Sequence, residues 1–115
     1  MIALNFYSDL YSDVLRNNRK TVTIRLGDKS DKYRNGEIVW VTVGQRFGRR
    51  QKLYSAIIDR VDVKAISELG PREIEKENPT FKTPDEVAAL LSRIYGERIS
   101  TEHLISVIHF SPVDE

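Results

Sequence analysis

Apolar and polar positions alternate in several separate stretches of the first 66 residues of this chain, and the period then lengthens. Val22 and Ile24 alternate with Thr21, Thr23 and Arg25, a period of two that predicts a strand over Thr21 to Leu26. Leu4 to Phe6 reads as a short strand ahead of it, and Ile38 to Val43 as a strand after it with Trp40 turned inside. Leu53 to Ile66 is a long strand pattern, supported by β-branched Ile57, Ile58, Val61 and Val63. Leu104 to Phe110 is the final strand. Gly27 to Asn35 is a polar loop, and Gln45 to Gln51 the tip of a hairpin. Helical spacing appears in three places. Ser8 or Asp9 caps a helix running to Arg16, with Leu10, Val14 and Leu15 on its inner face. Pro71 opens a second helix through Lys76 or Glu77, which Pro79 stops. Thr83-Pro84-Asp85-Glu86 opens the third with a threonine cap, a first-turn proline and a glutamate three residues after the cap. Its apolar stripe is Val87, Leu90, Leu91 and Ile94, and Gly96 ends it.

Five or six strands, mostly antiparallel, with about three helices make an α+β domain spanning 1–115. A chain of 115 residues buries roughly two-thirds of its unfolded surface, enough for one modest core. Cysteine is absent, which excludes disulfides, thiolate catalysis and cysteine metal sites. No apolar run approaches the ~20 residues that span a bilayer, so no membrane partner is expected. Met1-Ile2-Ala3-Leu4-Asn5 has neither the basic region nor the apolar stretch of a signal peptide, and the expected location is cytoplasmic.

The net charge of +1 hides an uneven distribution. Residues 1–64 hold 13 Lys or Arg against 7 Asp or Glu, and residues 65–115 hold 5 against 10. A basic half attracts polyanions, unless folding brings the two halves together. Arg46, Arg49, Arg50 and Lys52, with Phe47 and Tyr54 nearby, form either a nucleic-acid-binding patch with aromatic stacking or a solubilising hairpin tip. Gly44-Gln45-Arg46-Phe47-Gly48 lacks the glycine spacing and the lysine of a phosphate loop. His103 and His109 have no metal-ligand spacing with carboxylates, and His109 reads as structural.

The motif strand carries the sharpest chemistry. Thr21, Thr23 and Arg25 project from one side, and Lys20 stands at the strand entry. An amine beside a hydroxyl activates a weak nucleophile, provided that burial or a nearby positive charge lowers the amine's pKa. Arg19 and Arg25 are the nearby charges. The same groups also suit gripping a phosphate or a carbonyl oxygen. The plain alternative is a solvated lysine at a strand end beside an ordinary strand threonine. Glu77 lies at the end of its helix, where the dipole disfavours a carboxylate's charge and so favours a general acid. Glu73 and Glu75 read as exposed charges.

Arg19-Lys20-Thr21-Val22-Thr23-Ile24-Arg25 resembles the motif that opens ASCH domains, a branch of the PUA-like β-barrels. Arg34-Asn35-Gly36-Glu37-Ile38-Val39 resembles that family's turn into its second strand. Glu75-Lys76-Glu77-Asn78, before a helix that reaches Ile94-Tyr95-Gly96, resembles the small bacterial members that are N4-acetylcytidine amidohydrolases. The resemblance implies a small closed barrel. It also implies Thr23 as nucleophile, Lys20 as proton acceptor and Glu77 as proton donor, with an N4-acylated cytidine or related modified nucleoside as substrate. Arg19, Thr21, Arg25 and Asn78 are the candidate substrate contacts. No cofactor or metal is required, and a monomer is expected. The family's likeness to PUA domains implies an alternative, an RNA-binding module without catalysis. The sequence departs from the family around Gly44 to Lys52, at Pro79 and over Glu97 to His103, which bears on the substrate more than on the catalytic residues.

Overall fold

The computed structural model describes residues 2–6, 15, 17, 20–45 and 48–113. Five strands form one mixed sheet: β1 (Ala3–Phe6), β2 (Val22–Leu26), β3 (Ile38–Gly44), β4 (Arg50–Ala65) and β5 (Leu104–Pro112). Their order is β1-β3-β4-β5-β2. β1 runs parallel to β3, and the other three pairings are antiparallel. Two α-helices follow β4 among the described residues, α1 (Pro71–Glu77) and α2 (Pro84–Tyr95), after a short 3₁₀ turn at Ile66–Glu68. The helix expected over Ser8 to Arg16 lies outside the described residues, except that Leu15 is helical and fully buried.

The 16-residue β4 bends the sheet. Its register shifts opposite Val41/Thr42 and again between Ile58 and Arg60, leaving Leu53 and Asp59 as extra residues. Each bulge adds local twist and bends its strand, so the sheet coils. The hairpin into β4 is tight. A Cβ on Gly44 would stand 2.2 Å from the Arg49 carbonyl oxygen, so only glycine lets the strands approach there.

Strand alternation then divides the core. On the inner side of the coil, Leu4, Phe6, Val41, Ile58, Ile108 and Phe110 pack together. On the other side, Val22, Ile24, Ile105 and Val107 meet Ile74 of α1 and Leu91 of α2. Burying each such aliphatic side chain contributes about 1.5–3 kcal/mol. The start of α2 is held as expected: the Glu86 amide donates to Thr83 Oγ1 at 3.4 Å, and the Thr83 amide donates to Glu86 Oε1 at 3.1 Å. Gly96 ends the helix in the left-handed conformation at φ 67°.

Four expectations change. The barrel is an open half-barrel of five strands, because no backbone ladder joins the edge strands β1 and β2. Trp40 points outward and is 42 % exposed, while Val39, Val41 and Val43 point in. Ile94 is exposed, and Ala88 takes its place on the buried stripe of α2. The loop after β2 is not wholly polar: Tyr33 is buried in the inner core, and its hydroxyl donates to the Ala3 carbonyl at 3.0 Å.

Candidate functional site

Side chains close the gap that the backbone leaves between β1 and β2. The Phe6 ring, at the end of β1, lies beneath two cations from the opposite edge. Lys20 Nζ is 5.9 Å from its centroid and Arg25 Cζ is 4.9 Å. Both distances suit attraction to the ring face. On its other side Phe6 meets Phe110 at 6.3 Å between centroids. This seam holds the motif residues together.

β2 is an edge strand, and its outer backbone groups need partners. Glu77 supplies one. Its Oε2 accepts from the Ile24 amide at 3.0 Å and from Lys20 Nζ at 3.1 Å. Lys20 Nζ also donates to the Glu77 carbonyl at 2.8 Å, an acceptor left by the end of the helix. Lys20 is 3 % exposed and the Glu77 side chain 9 %, so this is a buried ion pair. Burial pushes the Lys20 ammonium below its ordinary 10.5; the Glu77 carboxylate opposes that shift and the Arg25 charge adds to it.

Thr23 sits one strand position from Ile24, on the opposite face, and is 2 % exposed. Arg25 Nε donates to its Oγ1 at 3.1 Å. That bond uses an oxygen lone pair, leaves the hydroxyl hydrogen for another acceptor and sets a positive charge beside the oxygen. The seam therefore gathers an amine of lowered basicity, a carboxyl group, a buried hydroxyl and a guanidinium. Such a set takes and gives protons and stabilises negative charge developing on oxygen.

The structure brings together Lys20, Thr23, Arg25 and Glu77 among the residues expected from sequence. It does not bring Asn78 with them as a side chain, because Asn78 Oδ1 accepts from the Thr80 amide at 2.9 Å and the Thr80 hydroxyl at 2.7 Å, closing the turn after α1. Thr21 is half-buried, and its carbonyl accepts from the Phe110 amide at 2.9 Å. Arg19 and Arg46 lie outside the described residues. Arg49, Arg50 and Lys52 are exposed on the β3–β4 hairpin. Phe6 and the Ile24 amide were invisible to sequence reasoning. Nothing marks a strand-end phenylalanine as a platform until the edges of the sheet are brought face to face.

A second polar cluster also departs from expectation. His109, Asp62 and Glu73 place ligand atoms within 4.8 Å of one another. Arg60 Nε already pairs with Asp62 at 2.9 Å, and Lys64 Nζ with both Glu73 oxygens at 3.1 and 3.2 Å. Glu73 is thus half-buried and paired rather than an exposed charge. Burial first, and the Arg60 charge second, hold the His109 imidazole below its ordinary 6.5. Lys20–Glu77 and Lys64–Glu73 also join the basic half of the chain to the acidic half.

No family model matches the sequence, and no curated protein matches it. Solved structures do match. An ASCH domain from Lactobacillus crispatus JV V101 superposes with a TM-score of 0.66 at 16% identity, over 96% of this chain and 77% of that one. A protein of Enterococcus faecalis V583, of the DUF984 family, gives 0.72 at 16% identity, over 99% and 81%. A protein of Pyrococcus furiosus gives 0.58 at 15% identity, over 99% and 98%. The chain has the fold of an ASCH domain. No helix among the described residues is long and apolar enough to cross a membrane.

Proposed function

We propose that the seam is the active site of an amidohydrolase acting on an N4-acylated cytidine or a related modified nucleoside. The observation that carries this reading is the buried Lys20–Glu77 pair beside the Thr23–Arg25 hydrogen bond. A proton shifted along the 3.1 Å bond from Lys20 Nζ to Glu77 Oε2 turns an ammonium and a carboxylate into an amine and a carboxylic acid. Those are the base and the acid that amide cleavage needs, and burial of the pair favours the neutral form of Lys20.

In the first half-reaction Thr23 Oγ1 bonds to the acyl carbon while Lys20 accepts the hydroxyl proton. The carbonyl oxygen becomes negative, and Arg25 is the nearest guanidinium to receive that charge. The carbon–nitrogen bond then breaks as Glu77 gives its proton to the departing N4, which leaves as the amine. The proton that Lys20 took then passes along its bond to Glu77 Oε2, which restores the amine and the Glu77 acid. In the second half-reaction water attacks the Thr23 ester while Lys20 accepts a water proton, and Glu77 gives its proton to Thr23 Oγ1 as the ester bond breaks. Amide plus water becomes acid plus amine, with no cofactor in any step. Near-complete burial of Thr23 and Lys20 favours a closed site for a small substrate over an open basic groove.

The test is hydrolysis of N4-acetylcytidine and a panel of N4-acylated cytidines, followed by chromatographic release of cytidine. Wild-type protein is expected to turn over at least one, Lys20→Ala to lose about 10²–10⁴-fold, and Thr23→Val to lose turnover while Thr23→Ser keeps part of it. Turnover unchanged in Thr23→Val, or none in wild type across the panel, refutes the reading.

A further inference from the structure

The second bulge in β4 decides which side chains α1 meets. Ile58 pairs with Phe110 and faces the inner core, but Arg60 pairs with His109, because Asp59 is an extra residue between them. One added residue turns every later side chain to the other face of the sheet. Arg60, Asp62 and Lys64 therefore share a face with His109, Val107 and Ile105, the face on which Ile74 of α1 packs. Glu73, in the first turn of α1, comes down beside them, and both its oxygens accept from Lys64 Nζ.

Three donor groups thus converge from three elements. A ring nitrogen of His109 on β5, a carboxylate oxygen of Asp62 on β4 and one of Glu73 on α1 all lie within 4.8 Å of one another. His109 Nε2 and Asp62 Oδ2 are 3.7 Å apart. Two ligands on a tetrahedral zinc ion stand roughly 3.3 Å apart, from bonds of about 2.0–2.1 Å. The half-buried triad therefore closes on one ion with small side-chain shifts.

Arg60 stands in for that ion. Its Nη2 is 3.2 Å from His109 Nε2, and its Nε is 2.9 Å from Asp62 Oδ2. A guanidinium only donates, so Nε2 turns its lone pair toward Arg60 and the ring proton sits on Nδ1. An imidazole with that lone pair available is the form that ligates metals. The Arg60 side chain is 59 % exposed, so its pair with Asp62 contributes little and it has room to swing into water. Lys64 suits the role of partner to the Glu73 oxygen that is not on the ion. Lys64 and Lys76 add positive charge around the triad and hold its affinity for a cation to a modest value.

We propose that Asp62, Glu73 and His109 bind a divalent transition-metal ion of the zinc class, which displaces Arg60 and keeps a fourth position for water. The imidazole selects such an ion over calcium and magnesium, which take oxygen ligands. The ion takes no part in amide cleavage and touches none of Lys20, Thr23, Arg25 and Glu77. It ties β4, α1 and β5 together at the first turn of α1, a helix of seven residues and too short to stand by itself. Spacing along the chain hid the site, because each ligand comes from a different element.

The chain has two histidines and no cysteine, so metal titrations assign the site cleanly. The full chain, without an affinity tag, is titrated with zinc chloride by calorimetry and with cobalt chloride by visible absorption. One saturable site is expected, with a cobalt band that zinc abolishes. Zinc at 100 times its dissociation constant should raise Tm by about 10 °C. His109→Asn, folded by circular dichroism, should not bind at concentrations that saturate wild type, and Asp62→Asn should bind more weakly, whereas His103→Asn should bind as wild type does. Arg60→Gln removes the competing cation and should bind up to about 5-fold more tightly, which a loose surface cluster would not show. Four results overturn the proposal: no saturable zinc or cobalt binding; His109→Asn binding as wild type does; calcium binding as tightly as zinc, which marks an acidic patch; or Arg60→Gln binding more weakly than wild type. None of these readouts uses amide hydrolysis, so this site and the seam stand or fall separately.

Discussion

Glu77→Gln tests whether the seam is held by charge or only by shape. Glutamine keeps the size and one acceptor oxygen, so the Ile24 amide, 3.0 Å from Oε2, keeps a partner. The bond from Lys20 Nζ to the main-chain carbonyl at 2.8 Å is untouched. What is lost is the charge on an acceptor that serves two donors. Hydrogen bonds to a charged group contribute about 1.5–3 kcal/mol and neutral ones about 0.5–1.5, so two weakened bonds cost about 2 kcal/mol. Leaving the buried ammonium without a counter-charge adds to that, up to the 3–5 kcal/mol typical of a broken buried pair. Lys20 limits the addition by releasing its proton, which burial already favours. The expected loss is therefore about 2–3 kcal/mol, a fall of roughly 8 °C or more in Tm for a domain of this size. Urea denaturation followed by far-ultraviolet circular dichroism measures it. The double variant Lys20→Met/Glu77→Gln removes both charges, and is expected to recover to within about 1 kcal/mol of wild type while staying inactive. A loss under about 0.5 kcal/mol for Glu77→Gln, or a double variant worse than either single one, would refute the buried-pair account.

Three further outcomes follow from the geometry. In kcat/KM against pH, the rising limb should inflect below 10.5, because only the unprotonated Lys20 amine accepts a proton and its pKa is lowered by burial, with Glu77 opposing and Arg25 assisting. Arg25→Gln should move that limb up and Glu77→Gln move it down; limbs that stay put would remove Lys20 from the chemistry. Stability carries the same sign. The unfolded chain binds this proton more readily than the folded one between the lowered pKa and 10.5, so the contribution from Lys20 improves as pH rises through that window and its cost is complete below it. Tyr54→Phe is expected to be neutral or to stabilise by up to about 1 kcal/mol. The Tyr54 hydroxyl is buried with no hydrogen-bond partner among the described residues, and burial pushes its pKa up to about 12. A loss above 1 kcal/mol in thermal melts would show that the hydroxyl has a partner.

Most elements were legible because their signals are local. β2 shows its alternation within five residues, and α2 carries its own capping residues and terminal glycine. The faces of β3 were not legible. Ile38, Val39, Trp40, Val41 and Val43 form a nearly continuous apolar run, and periodicity alone cannot say which alternate set is buried. Tyr33 was hidden for the converse reason, as one aromatic residue in a polar loop whose burial depends on the distant carbonyl of Ala3. Asn78 was assigned by position in a motif, yet the nearest donors, on Thr80, claim its oxygen.

By itself the sequence determined the five strands and the two helices after β4, the Lys-x-x-Thr-x-Arg spacing that puts Thr23 and Arg25 on one face, and the placement of Glu77 at a helix end. Only the tertiary structure decided that Lys20 and Glu77, 57 residues apart, meet as a buried pair, that Phe6 lies beneath both cations, and that Trp40 faces outward. Alternation and capping are set by neighbours in the chain. Which edges face one another depends on how two bulges in β4 coil the whole sheet, and no local pattern carries that.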